Sequence, residues 1–270
     1  MLGKILKYEF KATARGFFPL YGCLLLLAVL NVVMLKLNDF FQTNGANLLN
    51  IITVITTTLL VLYLIAIFIV TVILCIMRFY KNLLGDEGYL MNTLPVSAWT
   101  NIGGKLIVSV IWSVLSIMII VLAGAVFAFG ISNVTFIEFF QGLGRFFTMF
   151  SEEFGLDGWL AVFEFCILCL FSLVSFYCVV YASLAIGHSF TKHKMMFSVL
   201  AYIVFSIVEN IISVFFIWLL NRIDVVHITV NHVKDVPHGF IWLLCAGIAV
   251  YAAVYYCISR YFLSKRLNLQ

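Results

Sequence analysis

Six long apolar runs constrain the fold more than any other feature of this sequence. The hydrocarbon core of a bilayer is about 30 Å thick, so a spanning helix needs about 20 apolar residues. Each run meets this length, and none alternates as the strands of a membrane barrel would. The runs therefore predict an all-α, polytopic membrane protein with six transmembrane helices in a single domain over 1–270. The spans are expected at roughly 17–37, 49–77, 104–131, 159–187, 197–220 and 240–260.

Composition agrees with this fold class, because 64% of the residues are hydrophobic and only 10% are charged. A soluble domain has about 45–50% apolar and about 25% charged residues. The chain has too few charges to cover a surface that faces water. All seven cysteines fall in or at the ends of the runs. For the closely spaced Cys166 and Cys169, small buried apolar residues are favoured over a redox pair.

The basic residues between the runs predict the orientation in the membrane. With the N-terminus inside, the inner segments carry twelve Lys and Arg residues and the outer segments carry four. Cytoplasmic loops of membrane proteins are enriched in these residues, so both termini are predicted to be cytoplasmic. This bias also accounts for the net charge of +4, so no nucleic-acid partner is expected.

The N-terminal segment carries a regular series of basic residues, Lys4, Lys7, Lys11 and Arg15. Spacings of three and four residues place all of them on one face of a helix. We predict an amphipathic helix that lies on the lipid of the inner leaflet and is able to contact a cytoplasmic partner. The alternative is an ordinary basic tail that only sets the topology.

Two outer loops also have patterns. Phenylalanines recur at helical spacing over residues 136–150, which predicts a Phe-rich outer helix. The last outer loop alternates as a short strand over 226–231. His227, His232 and His238 lie in or near it, but no cysteine or carboxylate pair completes a metal site. An exposed loop with scattered histidines is therefore the favoured interpretation.

Glu209 lies near the middle of the fifth run, with Asn210 beside it. A carboxylate at that depth costs at least ~2.5 kcal/mol, so it is a functional candidate. Tyr202, Ser206, Glu209 and Ser213 fall on one helical stripe. Ser206, Glu209, Asn210 and Ser213 are our candidates for a transport path. The alternative is a protonated or hydrogen-bonded Glu209 that joins helices. Glu164, nearer the outer end of the fourth run, is expected simply to reach the interface.

Several catalytic motifs are missing from the sequence. It has no G-x-x-x-x-G-K-[ST] phosphate loop, no H-E-x-x-H zinc motif and no G-x-S-x-G nucleophile elbow. We therefore expect no catalytic residues, no metal site and no directly bound cofactor. The cytoplasmic segments are also too short to fold into a nucleotide-binding domain. If the protein is a pump, its motor is another polypeptide.

The loop between the second and third runs interrupts the apolar pattern with "GDEGYLMNTLPVS", residues 85–97. Asp86 or Glu87 can cap a short helix, and Pro95 ends it because the residue before proline avoids α geometry. The side chains of residues 89–91 then lie on a helix too short to be stable alone. Such a helix suggests a partner that covers it. The alternative is a plain connecting loop.

The longer segment "RFYKNLLGDEGYLMNTLPVSAWTNIGGK", residues 78–105, resembles the same loop in the permease subunits of ABC exporters. These are the six-helix, type-2 membrane domains, and the likeness is greatest to small Gram-positive peptide and drug exporters. In that family this loop forms a coupling helix that docks into a groove of the ATP-binding subunit. The resemblance assigns that role here to Asp86, Glu87, Gly88, Tyr89, Leu90, Met91, Thr93 and Pro95.

The resemblance also implies an assembly in a bacterial plasma membrane. Two permease subunits, either a homodimer or a pair with a sister chain, would work with two separate ATPase subunits that bind ATP and Mg²⁺. The expected cargo is an amphipathic peptide or a hydrophobic drug-like molecule. The main alternative is a proton-coupled secondary transporter that uses Glu209, although the sequence shows no internal repeat. A membrane enzyme, a channel or a scaffold are further alternatives.

Overall fold

The computed structural model describes residues 2–41, 47–85, 97–131, 136–190, 192–222 and 238–265. Every regular element in these ranges is helical. The elements are α1 (Leu2–Phe41), α2 (Asn47–Phe79) with a π-helical turn (Tyr80–Leu84), α3 (Ala98–Ile131), α4 (Phe136–Gly187), α5 (Lys194–Arg222) and α6 (His238–Lys265). Six helices in the described ranges are long and apolar enough to cross a membrane. The chain is therefore an all-α multi-pass membrane protein, which confirms the fold class predicted from the six runs.

The N-terminal segment and the first span form one continuous helix. α1 has 40 residues and contains Pro19 without ending there. At 1.5 Å per residue it is about 60 Å long, twice the thickness of the hydrocarbon core. The expected boundary near residue 17 is therefore not a break in the helix. The basic series, Lys4, Lys7, Lys11 and Arg15, is exposed along the first part of α1.

The predicted Phe-rich helix is also continuous in sequence with a span, because both belong to α4. The 52-residue helical stretch is interrupted at Gly155, which has φ 59° and ψ −148°. This backbone conformation is essentially restricted to glycine. Phe140, Phe146 and Phe147 are exposed on the part that precedes the interruption. Residues 136–150 are thus helical, as expected, and the helix has a kink at Gly155.

The chain divides into two compact units, of which the first contains Met1–Cys75 and Ile107–Phe147. Its helices are joined by aromatic and hydroxyl contacts around Trp112. The Trp112 ring stacks on Phe17 with 4.3 Å between centroids, and its Nε1 donates to Thr13 Oγ1 at 2.8 Å. Tyr21 and Ser116 share a hydrogen bond of 2.6 Å. The hydroxyl groups of this unit therefore join helices to one another.

The second unit contains Ile76–Leu106 and Thr148–Gln270. Its core is a cluster of five buried residues: Cys178, Val179, Ala182, Ala252 and Tyr255. They come from α4 and α6, while Phe205 of α5 packs against Tyr255 with 5.0 Å between ring centroids. Phe79 at the end of α2 stacks on Tyr181 at 3.8 Å. These contacts hold α4, α5 and α6 together and position the site described below.

Candidate functional site

A polar cavity of about 270 Å³ lies in the second unit, among α4, α5 and α6. It is lined by four serines, two tyrosines, one carboxylate and three apolar residues: Ser172, Ser175, Phe176, Val179, Tyr202, Ser206, Glu209, Ser213, Ile248 and Tyr251. This lining is unusual for the interior of an apolar membrane helix bundle, where polar side chains are rare and tend to face other helices or a wet path.

The helical repeat explains why these side chains meet. On α5 the lining positions are 202, 206, 209 and 213, and on α4 they are 172, 175, 176 and 179. Both sets follow the spacing of three and four residues that brings side chains to one helical face. α6 completes the wall with Ile248 and Tyr251. Because Val179 also belongs to the buried core, the cavity is backed by packed residues on the α4 side.

Glu209 is the only carboxylate among the described residues that line the cavity. It lies fifteen residues after Lys194 and thirteen before Arg222, so it is near the middle of α5. The buried Tyr255 provides a hydroxyl group that interacts with the Glu209 carboxyl group. The described lining residues include no Lys, Arg or His. Negative charge on this carboxylate is therefore not balanced by any cationic side chain of the described lining.

An apolar groove of about 380 Å³ adjoins the polar cavity between α5 and α6. Ser213, Ile248 and Tyr251 line both spaces, so the two are adjacent. The remaining lining of the groove consists of six residues without charge: Ile212, Phe216, Ile217, Leu244, Gly247 and Val250. A molecule with one polar group and one apolar part matches this pair of spaces.

The structure brings together three of the four predicted transport-path residues, Ser206, Glu209 and Ser213. Asn210 is not among the residues that line the cavity; its Nδ2 donates to the Ser206 carbonyl oxygen at 2.7 Å. Sequence reasoning missed Ser172 and Ser175 on α4. Ser172 and Ser175 are three residues apart and so fall on one helical face, together with positions 176 and 179. This spacing could have identified them.

The predicted coupling residues lie outside the described residues: Asp86, Glu87, Gly88, Tyr89, Leu90, Met91, Thr93 and Pro95. The chain on both sides of them is described. On the N-terminal side, the π-helical turn ends with Gly85 N donating to Tyr80 O at 2.9 Å. On the C-terminal side, Ser97 caps α3, because its Oγ accepts a hydrogen bond from Thr100 N at 3.4 Å and lies 2.8 Å from Thr100 Oγ1. The residues on both sides of the predicted coupling loop are thus held by local hydrogen bonds.

The described residues on both sides of this loop contact α6 or the residue that follows α4, and both of these helices also line the cavity. Tyr256 of α6 donates its hydroxyl proton to the Trp99 carbonyl oxygen at 2.7 Å, and their rings lie 4.9 Å apart. The Arg260 guanidinium carbon lies 4.4 Å from the Trp99 ring centroid, a cation–π contact. On the other flank, Tyr80 meets His188 edge-on at 5.1 Å, just beyond α4.

His188 is buried at the turn between α4 and α5. Its Nδ1 lies 3.1 Å from the Leu184 carbonyl oxygen. Burial, with a smaller contribution from the positive charge of Lys194, lowers the pKa of His188, although the hydrogen bond to the Leu184 carbonyl oxygen opposes this. The imidazole therefore resists protonation beside the flank of the predicted coupling loop.

Two expectations for the outer loops require comment. Glu164 does not simply reach the interface, because it is buried and bonded to residues of α6. His227, His232 and the predicted strand over 226–231 lie outside the described residues. His238 is the first residue of α6 and contacts Glu164 rather than belonging to a loop. The described part of the chain contains no group of three or more metal-ligating side chains.

Comparison with known proteins identifies no relative of this chain. The chain matches no family model, no curated protein and no solved structure. The function must therefore be inferred from the residues and the geometry.

Proposed function

We propose that this chain is the permease subunit of an ATP-driven ABC exporter in a bacterial plasma membrane. Two such permease subunits would work with two separate ATPase subunits and move an amphipathic peptide or hydrophobic drug-like molecule out of the cell. The observation that carries this proposal is the set of contacts made by the described residues on either side of the 86–96 segment. Trp99 contacts α6, and Tyr80 contacts His188, the residue after α4; α4 and α6 also line the polar cavity.

In this arrangement, only a few contacts separate the loop from the cavity. A partner that binds the loop would therefore act on the cavity through them. A displacement of the start of α3 would act on α6 through Trp99, Tyr256 and Arg260. Tyr256 is five residues from Tyr251, which lines the cavity, so about 7.5 Å of helix separates them. ATP-driven closure of the partner would therefore reshape the site by moving whole helices, as in rigid-body switching.

The two spaces support the proposed cargo class. The polar cavity accepts a hydrogen-bonding or charged group, and the adjoining groove accepts an apolar one. Ligand sites are usually largely apolar and have a few convergent polar groups that fix orientation. An amphipathic molecule would occupy both spaces, whereas a strongly hydrated solute would leave the groove unused.

Reconstitution tests this proposal. The full-length chain, purified from membranes of its native host, is expected to carry a phosphate-loop ATPase at equal stoichiometry. Proteoliposomes of this complex should accumulate a fluorescent amphipathic peptide only when ATP is present on the ATPase side. A control with a non-hydrolysable ATP analogue should show binding without accumulation. Accumulation by the chain alone, without any ATPase, would contradict the proposal.

Glu209 supports a second candidate, a proton-coupled secondary transporter. Its carboxyl group lies in a cavity with several hydroxyl groups, an arrangement that is able to take up and release a proton. The same proteoliposomes separate the two candidates. Uptake that is driven by an imposed pH gradient in the absence of ATP, and lost in Glu209→Gln, would favour the secondary transporter.

A further inference from the structure

We propose that the polar cavity binds the ammonium group of an organic cation whose apolar part lies in the adjoining groove. The site would thus select amphipathic molecules that carry a positive charge over neutral ones. That this ligand is the exported cargo rests on the proposed function, whereas the binding itself does not depend on an ATPase.

The first argument is charge. Glu209 places a carboxyl group near the middle of α5, and no Lys, Arg or His stands among the described lining residues. A carboxylate at membrane depth is costly to hold without a balancing positive charge, and a bound cation would offset that cost. An anionic ligand would instead be repelled by the same carboxylate. The charge of the site therefore favours a cationic ligand.

The second argument is the aromatic content of the wall. Phe176, Tyr202 and Tyr251 line the cavity from three different helices. The faces of aromatic rings attract ammonium groups, and this attraction is strongest where water is excluded. Rings that surround a carboxylate are a recurring way to hold alkylated ammonium groups. These rings act independently of the Glu209 charge, so they can be tested separately.

The serine hydroxyl groups complete the polar side of the site. Ser175 of α4 and Ser206 of α5 line the same cavity, and hydroxyl oxygens accept hydrogen bonds from N–H donors. A primary ammonium group would donate to them, and a quaternary group would rely on the rings and the carboxylate alone. Described residues offer no cluster of three metal ligands here or elsewhere, which favours an organic cation over a bound metal ion.

The third argument is the groove. It shares Ser213, Ile248 and Tyr251 with the cavity, and the rest of its lining is uncharged. An ammonium group beside Glu209 would therefore have its hydrocarbon or aromatic substituent directed along an apolar wall. The adjacent groove distinguishes the site from one for a small hydrated cation, which would gain nothing from an apolar wall.

Equilibrium binding to the full-length chain in phosphatidylcholine nanodiscs tests the proposal. The probe is a dansyl-labelled alkyl trimethylammonium, and its neutral match carries a tert-butyl group in place of trimethylammonium. We expect the cation to bind about tenfold more tightly than its match, because ring and charge contacts act only on the cation. Empty nanodiscs measure the partitioning of each probe into lipid. Equal affinities for the two probes would overturn the proposal.

Variants then show which side chains cause the preference for the cationic probe. Glu209→Gln keeps the shape of the side chain and should remove most of the preference while leaving binding of the neutral probe unchanged. Tyr251→Leu should weaken binding of the cation more than Tyr251→Phe does, because only the leucine removes the ring. Glu152→Gln, on an exposed carboxylate outside the cavity, is the matched control and should bind as the wild type does. A preference that is undiminished in Glu209→Gln would also overturn the proposal.

The assay separates this inference from the proposed function. It contains no ATPase, so a chain that prefers the cation but never associates with an ATPase would contradict only the proposed function. ATP-driven transport by a chain without any preference for the cation would contradict only this inference.

Discussion

Nδ1 of His238 lies 2.8 Å from Oε2 of Glu164, so the first residue of α6 is bonded to the middle of α4. Trp242 Nε1 donates to Oε1 of the same carboxylate at 2.8 Å. Only 5% of Glu164 is exposed. Both oxygens of this buried carboxylate are therefore engaged by α6, which fixes the start of α6 on α4 where the chain leaves the 223–237 segment.

Glu164→Ala is expected to lower the thermal unfolding midpoint of the detergent-purified protein. The substitution removes both hydrogen bonds that join α6 to α4 here, and a typical hydrogen bond contributes about 0.5–1.5 kcal/mol to stability. Unfolding followed by intrinsic tryptophan fluorescence would measure the change. Glu152→Ala, on an exposed residue of the same helix, is the control and should be near neutral. An unchanged midpoint in Glu164→Ala would show that these bonds do not stabilise the fold.

Glu209→Ala is expected to impair transport while the protein still assembles. Glu209 lines the cavity, but its neighbour Asn210 does not. Asn210→Ala, which removes only a bond to the Ser206 carbonyl oxygen, should therefore retain most of the transport activity. Initial transport rates per unit of folded protein, judged by size-exclusion chromatography, would compare the two variants. Equal losses in both would argue against a role for the cavity.

The double variant Tyr89→Ala, Leu90→Ala is expected to weaken association with the ATPase subunit. The prediction rests on the proposed role of residues 85–97 as a coupling loop, whose apolar side chains would be lost from the contact with the proposed ATPase. Co-purification of the ATPase with the tagged chain is the measurement. The double variant Met149→Ala, Leu156→Ala removes two exposed apolar side chains on the predicted outer side and serves as the control. Wild-type recovery of the ATPase by Tyr89→Ala, Leu90→Ala would refute the assignment.

Gly187→Ala is expected to destabilise the protein because the end of α4 closely approaches the start of α5. An added Cβ would lie 2.6 Å from Ser198 N and 2.7 Å from the Lys194 carbonyl oxygen, both of which belong to backbone. Overpacking of this kind costs about 1–3 kcal/mol. Gly124→Ala is the opposite case, since nothing lies within 4 Å of its added Cβ. It should be neutral or stabilising by up to about 1 kcal/mol.

The stability of the protein should fall as the pH is lowered through the titration of His188. Burial lowers the pKa of this imidazole, so the unfolded chain takes up the proton at a higher pH than the folded chain does. The stability that the neutral imidazole contributes is therefore complete above about pH 6.5, the ordinary pKa of histidine. It is lost as the pH falls through the lower pKa of His188 in the folded protein. Thermal unfolding midpoints measured between about pH 7.5 and 5 would show the trend.

His188→Gln should flatten that dependence, because glutamine does not titrate. The control is His193→Asn, since His193 is exposed and has φ 56°, which asparagine tolerates. The control should retain the wild-type dependence on pH. A slope that is unchanged in His188→Gln would assign the acid sensitivity to another group.

The six spans could be predicted from sequence because length and hydropathy alone decide whether a segment can cross a bilayer. Helix ends could not be predicted as well. The α1 helix joins the predicted N-terminal helix to the first span without a break near residue 17, although Pro19 has no N–H and so removes one backbone hydrogen bond. Likewise, α4 begins in the predicted outer helix, and its interruption at Gly155 is a backbone property that hydropathy does not report.

The candidate site could be predicted in part. The stripe of Ser206, Glu209 and Ser213 marks one helical face, and that face lines the cavity. The identity of the opposing wall depends on which helices pack together, which a single sequence does not specify. Polar stripes also do not reveal their role. Ser109, Ser113 and Ser116 form a comparable series on α3, yet they are buried in a helix contact. The same ambiguity explains why the buried role of Glu164 was missed.

The volumes of the two adjoining spaces set a size limit on what one chain can hold. Pockets that enclose a drug-sized molecule measure about 300–1,000 Å³. The groove, at about 380 Å³, lies in this range, and the cavity, at about 270 Å³, lies just below it. A peptide of several tens of residues is many times larger than this. If the cargo is such a peptide, one chain would bind a single residue or a terminus of it at a time. Export would then proceed by successive handling of short segments, and a long peptide would present many equivalent points of attachment.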